Sequence, residues 1–523
     1  MNAFNPLCKV SMEATIAARP ANRQTAVLLI ASCGCAMTVL DTNVVGIVLP
    51  TIARDLQATF AEIEWVISAY VLCFASLLLP AGSIADRYGR KRVFLWGIAL
   101  FALSSLACGL APSPAALYAA RAAQGASAAF LLAPALAIVG HTFHDEHARG
   151  RAWAVWGGIM GLTMVLSPLL GGVINSLLGW RWAFHINVPI CAVLGTAVLR
   201  RVDESRDPTP RSLDFAGIAL FAAAMFAVTW ALILGPGLGW GSVAVLGRAA
   251  VGLMLFVAFC LVERARPHPM LDLTLFKAWP FVGAVIAMFA YASSAQVMAS
   301  VLPLFLQNGR GDTALMASVG MLPFALAMLV FPQVGRRLSR WLDSKGILTL
   351  GLAIVALGNA LMAYAALQSG QAMVIIGMAL LGTGGGLLNG ETQKAIMGNV
   401  PPHRAGMASG ISTTARFSGI LLGFGGLGAV LASNTGAAIR AAAEAAHLPV
   451  DDAFIGRVVA GDIQDAVAAY PSSAWDALAD IARVAYGAGF SGAFLLAASS
   501  AGICALLVFL SMRRSGKRPT LVR

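Results

Sequence analysis

Four charged side chains stand inside stretches of the chain that are otherwise apolar: Asp41, Arg121, Glu391 and Arg416. A charge near the middle of a lipid-embedded helix costs about 2.5–3.5 kcal/mol, so such a group faces a cavity or a partner. A buried carboxylate that alternates between pairing with a guanidinium and carrying a proton can couple proton movement to a change of shape. The same residues can equally form a static ion pair that only fixes helix packing. Asp41 lies nine residues before Pro50 and Arg121 nine after Pro112. At about 1.5 Å per helical residue, both sit roughly 13 Å below one surface and can meet. Glu391 comes ten residues before Pro401 and Arg416 twelve after Arg404, roughly 15–18 Å from the opposite surface. A Glu391–Arg416 pair and a wet vestibule holding Glu391 both fit that spacing. Either way, Glu391 is a second-rank candidate for proton or cation binding.

Other chemistries find little support. No Walker motif exists, and Gly382-Thr383-Gly384-Gly385-Gly386 lacks the basic residue and spacing of a phosphate loop, so it reads as helix packing. A membrane-embedded enzyme needs clustered catalytic His, Asp or Cys, and no such cluster is visible; a non-enzymatic protein is expected. His185 reads as a structural residue at a span edge. The eight cysteines (Cys8, Cys33, Cys35, Cys73, Cys108, Cys191, Cys260, Cys504) lie in apolar runs or the N-terminal tail without a CxxC pair. Neither disulfides, a metal site nor a cofactor is expected.

The elements that must position these groups are membrane helices. The chain has 523 residues, 59% hydrophobic and 11% charged, against about 25% charged for soluble domains. Its net charge of +12 would suggest nucleic acid on a soluble protein, but here the basic residues sit in short loops, so a lipid bilayer is the expected partner. A helix needs about 20 apolar residues to cross the hydrocarbon core. Fourteen runs qualify: 26–49, 63–84, 93–111, 115–140, 152–174, 183–199, 213–234, 247–263, 279–306, 314–335, 346–367, 372–399, 405–431 and 487–511. About 24 mostly polar residues precede the first, with no cleavable signal.

Charge asymmetry supports the count. With the N-terminus inside, the inner loops and tail carry Arg87, Arg90, Lys91, Arg92, Arg149, Arg151, Arg200, Arg201, Arg206, Arg211, Arg264, Arg266, Arg336, Arg337, Arg340, Lys345, Arg513, Arg514, Lys517 and Arg518. Outer loops hold chiefly Arg54, Arg181 and Arg310, and the long outer segment 432–486 is acidic. Both termini are therefore expected in the cytoplasm. The Ala-rich outer segment reads as one or two short amphipathic helices capping the outer face.

Between spans 2 and 3 the chain reads GSIADRYGRKR, Gly82 to Arg92. Gly82 would let helices approach closely and Gly89 would permit a tight reversal. Asp86 can pair with Arg90 or with a neighbouring helix N-terminus. The pattern of Gly82, Asp86, Arg87, Gly89 and Arg90 resembles the hallmark loop of the major facilitator superfamily. The resemblance implies a conformational latch; a topology-setting basic loop is the alternative. A weaker echo follows span 10 at Gly335-Arg336-Arg337-Leu338-Ser339-Arg340, with Asp343 displaced. In span 4, Arg121-Ala122-Ala123-Gln124-Gly125 resembles the family's intramembrane R-x-x-Q-G element. Leu40-Asp41-Thr42-Asn43 resembles the first span of its fourteen-span drug:proton antiporters. Span 5, with Gly157, Gly158, Gly161, Pro168, Gly171 and Gly172, resembles the antiporter motif, Ser167 replacing the usual glycine. There small residues allow close contact and Pro168 bends the helix. Gly179-Trp180-Arg181-Trp182-Ala183-Phe184 and Ile186-Asn187-Val188-Pro189 resemble the lead into span 6, with the Trp pair as an interfacial anchor.

The expected fold is an all-α integral membrane protein of two six-helix bundles, 26–199 and 264–511, with a linker and two extra spans in 200–263 and cytoplasmic tails at 1–25 and 512–523. The resemblance implies a proton-coupled secondary transporter exporting drugs or other amphipathic small molecules across the cytoplasmic (inner) membrane. A dedicated exporter of one native metabolite runs on the same machinery. A receptor or channel would need neither doubled bundle nor latch. A monomer is compatible with all of this.

Overall fold

The structure is a computed structural model and describes residues 21–143, 146–206, 214–266, 273–368, 370–400 and 405–512. Most of the N-terminal tail, the turn Pro401-Pro402-His403-Arg404, part of the linker including Arg211, and the basic tail from Arg513 lie outside the described residues.

Among the described residues, fourteen helices are long and apolar enough to cross a bilayer, as the hydrophobic runs predict. They are α1 (Ala21–Asp55), α2 (Phe60–Tyr88), α3 (Arg90–Gly109), α4 (Pro114–Thr142), α5 (Glu146–Leu178), α6 (Trp182–Arg201), α7 (Phe215–Leu238) and α8 (Val243–Ala265). The second half holds α9 (Trp279–Gly309), α10 (Ala314–Leu338), α11 (Ser344–Ala366), α12 (Gln371–Gly398), α13 (Ala405–Ala445) and α14 (Trp475–Ser511).

Polar residues at the ends set where several of the helices begin. Thr59 and Glu62 form a reciprocal capping box on α2, Ser113 caps α4 ahead of Pro114, Ser242 caps α8 and Asp343 caps α11. Each supplies an oxygen to a backbone N–H that the helix itself leaves unpaired.

In the first bundle α4 packs on α2 and α3, and α1 on α5. In the second, α11 packs on α12 and α14, and α10 on α12. The two extra helices pair with each other, and α7 lies along the seam where α2 meets α13. Trp65 of α2 and Phe226 of α7 approach at 5.4 Å between ring centres.

Two boundaries differ from the sequence reading. Pro50 lies inside α1, which runs on to Asp55; it removes one helical bond, a loss that membrane helices tolerate where neighbouring groups re-satisfy the backbone. The segment 432–486 is also more helical than expected, because α13 continues to Ala445 and α14 starts at Trp475. Between them lie short helices Asp452–Ala460 and Ile463–Ala468.

Candidate functional site

Asp41 on α1 and Arg121 on α4 meet with Arg121 Nη1 2.6 Å from Asp41 Oδ2, and both side chains are shut off from solvent. The carboxylate is fully engaged. Its Oδ1 accepts from Gln124 Nε2 at 2.8 Å and from Asn187 Nδ2 at 3.0 Å. Ser105 of α3 ties the donors together, since its Oγ accepts from Gln124 at 2.8 Å and lies 3.4 Å from Asn187 Nδ2.

The guanidinium has partners of its own. Arg121 Nε donates to the Val66 carbonyl at 3.1 Å and Nη1 to Gln124 Oε1 at 2.6 Å. Its Cζ stands 4.2 Å from the centre of the Tyr70 ring, a cation–π contact. Helical spacing makes this possible, because Arg121 and Gln124 are three residues apart and share one face of α4. Five helices of the first bundle (α1, α2, α3, α4 and α6) thus converge on one ion pair.

Gln124 and Asn187 carry the site as much as the charged pair does, yet the sequence reading assigned neither a role. The signal was present in the uncharged amides at fixed offsets inside apolar runs. Trp180 also differs from a simple interfacial anchor. It is buried, and its indole N–H donates to Asp55 at 2.9 Å, where Arg181 also pairs at 2.6 Å.

The loop after α2 is fastened within its own half of the molecule. Arg90 Nε and Nη2 donate to Asp86 Oδ1 at 3.0 and 2.8 Å. Gly89 has φ +114°, and a Cβ there would stand 2.6 Å from the Glu204 carboxylate. Glu204 accepts from the backbone N–H of Lys91 at 3.0 Å and of Arg92 at 3.2 Å. The start of α3 is therefore capped by Glu204, not by Asp86. Gly82 is not needed for close packing here, since an added Cβ would lie an ordinary 3.9 Å from Ala133. Arg87 lies 5.9 Å from the ring centre of its neighbour Tyr88.

In α5, Gly157 and Gly158 face open space, and the other three glycines of the motif divide between two neighbours. Gly171 faces α1, whose Ile47 Cβ a methyl group would meet at 3.2 Å. Gly161 and Gly172 face α10 of the other bundle, the first against Leu329 at 2.8 Å and the second against Ser318. Pro168 sits inside the continuous helix, where Ser167 Oγ donates to the Thr163 carbonyl at 2.6 Å.

The second charged set is not a pair. Glu391 bonds Lys394 at 3.0 Å and accepts from Ser344 at 2.5 Å. Arg416 Nε donates to Gln296 Oε1 at 3.0 Å instead. Gln296 ends a π-helical turn of α9, Ala292–Gln296, a local widening that is frequent at functional positions. Neither that turn nor its partnership with Arg416 was legible from residue spacing.

Two six-helix bundles with an ion pair buried in one of them and small residues lining their seam define a multi-pass membrane transport protein. The sequence profile described as Major Facilitator Superfamily matches residues 31–424, and the chain belongs to that family. Among its relatives, the multidrug resistance protein Stp of Mycobacterium tuberculosis is 36% identical over 79% of this chain and 77% of its own length. The tetracenomycin C resistance and export protein of Streptomyces glaucescens is 30% identical over 93% of this chain and 91% of its own. A solved bacterial homolog of the human lysosomal transporter Spinster, inward-facing and unoccupied, shares the fold with a TM-score of 0.64 at 18% identity, covering 94% of this chain and 98% of that one.

Proposed function

We propose that this protein is a proton-coupled exporter of drugs or other amphipathic small molecules, working by alternating access in the cytoplasmic membrane with both termini inside. The names of its relatives support the substrate class, and the basic inner loops support the orientation.

One observation carries the coupling mechanism: Arg121 keeps a complete second set of partners apart from Asp41. If Asp41 takes a proton, the ion pair is lost, and an uncompensated buried charge is costly. The Val66 carbonyl, Gln124 Oε1 and the Tyr70 ring remain within reach of the guanidinium. Protonation can thus release α1 from α4 without stranding Arg121, and each pH unit of gradient contributes about 1.4 kcal/mol to the cycle. In this reading Asp86 and Arg90 latch the inner end of the first bundle, and Gly161 and Gly172 form a sliding contact with α10. Glu391 and Arg416 are secondary groups on the second bundle.

The test is substrate-dependent proton movement in proteoliposomes. Asp41→Asn is expected to abolish it while the protein still binds substrate; wild-type proton movement in that variant rejects Asp41 as the coupling group. Export of a single metabolite remains a second reading, favoured by the resemblance to a tetracenomycin C exporter. A resistance and uptake panel in cells with and without the protein separates one substrate from many.

A further inference from the structure

Glu64 stands one turn into α2, on the face that meets the second bundle, and takes no part in the network around Asp41. Its side chain is buried, and Oε1 is enclosed without a hydrogen-bond partner. It lines a narrow cavity of about 30 Å³ together with Leu49, Phe60, Ile67, Val301, Phe424 and Phe490, room for roughly one water. The carboxylate lies directly against Gly428 of α13, where an added Cβ would collide with Oε1.

This contact belongs to the seal between the outer halves of the two bundles. Gln307 of α9 donates to the Ile47 carbonyl of α1 at 2.9 Å, and Gly172 of α5 abuts Ser318 of α10. Glu64 and Gly428 close the same seal between α2 and α13.

Among the described residues, no charge is paired with Glu64. Apart from Glu64 itself, the residues lining the cavity carry no titratable group. From α4, Arg121 reaches the Val66 carbonyl but is held by Asp41 and Gln124. On α13, Arg416 and Arg440 lie twelve residues to either side of Gly428, about 18 Å along the helix, and bind Gln296 and Asp452. On α14, the exposed Arg483 lies 3.8 Å from Asp480. On α1, Asp41 is committed to Arg121, while Asp55 at the outer end pairs with Arg181 and Arg54 is exposed. Glu62, on α2 itself, is engaged in the capping box with Thr59. Helix α7 carries no charged residue. In the short helix Asp452–Ala460, which also packs on α2, Asp452 pairs with Arg440 and Arg457 binds the Asp465 carbonyl.

An ionised carboxylate enclosed among apolar groups costs far more than a neutral acid, and the usual outcome is protonation. We propose that Glu64 is a second proton-binding site, loaded from the outer aqueous phase, whose neutralisation lets the outer halves of the bundles close. When the outer face opens, water reaches Glu64 and the proton returns to it. The carboxylate then resists closure until it is protonated again. Acid outside therefore favours the closed outer face, and alkali favours the open one.

The inference rests on the alternating-access reading but not on coupling at Asp41. Its test is hydrogen–deuterium exchange of the full-length protein in liposomes, without substrate or gradient, corrected for intrinsic pH effects. In the wild type, peptides spanning 60–67 and 424–431 should exchange about tenfold faster at alkaline than at acid pH. Glu64→Gln, a neutral mimic of the same shape, should stay protected throughout and lose the pH profile. Gly428→Ala should exchange fast at every pH, because the methyl group displaces the side chain. Protection of 187–201 in each variant confirms that the first bundle remains folded. A wild-type pH profile in Glu64→Gln overturns the proposal, as does a closed, unaltered seal in Gly428→Ala. Failure of proton coupling in Asp41→Asn leaves this profile intact, so the two ideas fail separately.

Discussion

Arg121 and Asp41, eighty residues apart in sequence, meet at 2.6 Å in a pocket that treats the two positions differently. Amide donors from Gln124 and Asn187 point at position 41. A backbone carbonyl and the face of Tyr70 await a cation at position 121. The site has a direction, which a simple ion pair lacks.

That direction predicts the result of exchanging the charges. If pairing alone mattered, Asp41→Arg combined with Arg121→Asp would restore transport. Here the swap sets an arginine against two N–H donors and an aspartate against a carbonyl oxygen, so the double variant should transport no better than either single one. Each single change strands a buried charge and should cost about 3–5 kcal/mol of stability. Substrate flux and thermal unfolding, measured on all three, check both statements; recovered flux in the double variant supports a static pair.

Asn187 should matter for the same site. It holds Asp41 from α6 at 3.0 Å, and a hydrogen bond to a charged group contributes about 1.5–3 kcal/mol. Asn187→Ala should lower the unfolding temperature and slow proton-linked transport about tenfold, the rate equivalent of some 1.4 kcal/mol. Unchanged transport and melting would show that Gln124 alone suffices.

The contrast between Asp41 and Glu391 shows what sequence spacing could and could not settle. Apolar runs about 20 residues long announce a membrane helix because nothing else satisfies its backbone in lipid. Fourteen spans were therefore readable, and depth counting brought Asp41 and Arg121 together even though α1 passes beyond Pro50. The same counting left Glu391 and Arg416 open, because depth fixes only one coordinate. Rotation about the helix axis is set by packing, which turns Glu391 toward Ser344 and Arg416 toward Gln296. Uncharged partners such as Asn187 and Gln296 cost less in an apolar run than a charge does, so their signal is fainter. Glu204 was hidden in a polar linker, where one carboxylate looks like any other.

Glu204 gives the loop between α2 and α3 a testable anchor. Glu204→Gln removes the negative charge from the N-terminus of α3 and should cost about 0.3–1 kcal/mol. Gly89→Ala should be more severe, about 1–3 kcal/mol, since it forces a side chain into a positive-φ conformation and toward Glu204. Asp86→Asn should leave melting nearly unchanged but slow transport several-fold. If Asp86→Asn transports at the wild-type rate, the loop sets topology only.

A double-mutant cycle decides the second charged set. Because Glu391 and Arg416 hold different partners, Glu391→Gln and Arg416→Gln should be additive in stability to within about 0.3–0.5 kcal/mol. Arg416→Gln with Gln296→Ala should couple by about 0.5–3 kcal/mol. Coupling between Glu391 and Arg416 as large as that would restore the pair.

The short helices between α13 and α14 should respond to acid through Asp451. Its carboxylate caps the helix Asp452–Ala460, accepting from the Phe454 N–H at 2.7 Å. That bond, with the Tyr470 hydroxyl at 3.1 Å, holds the carboxyl below its ordinary value of 3.8. A lowered folded value means that the stabilisation is present above 3.8 and disappears as pH falls through the folded value. Asp462 carries the opposite sign: burial, then the nearby Asp465, pushes its carboxyl up. Its contribution is complete below the ordinary value and is lost as pH rises through the folded one. Amide exchange across 452–460 should therefore accelerate on strong acidification in the wild type. Asp451→Asn should already exchange faster at neutral pH and respond less to acid. An Asp451→Asn profile that matches the wild type at every pH removes Asp451 from the account of this segment.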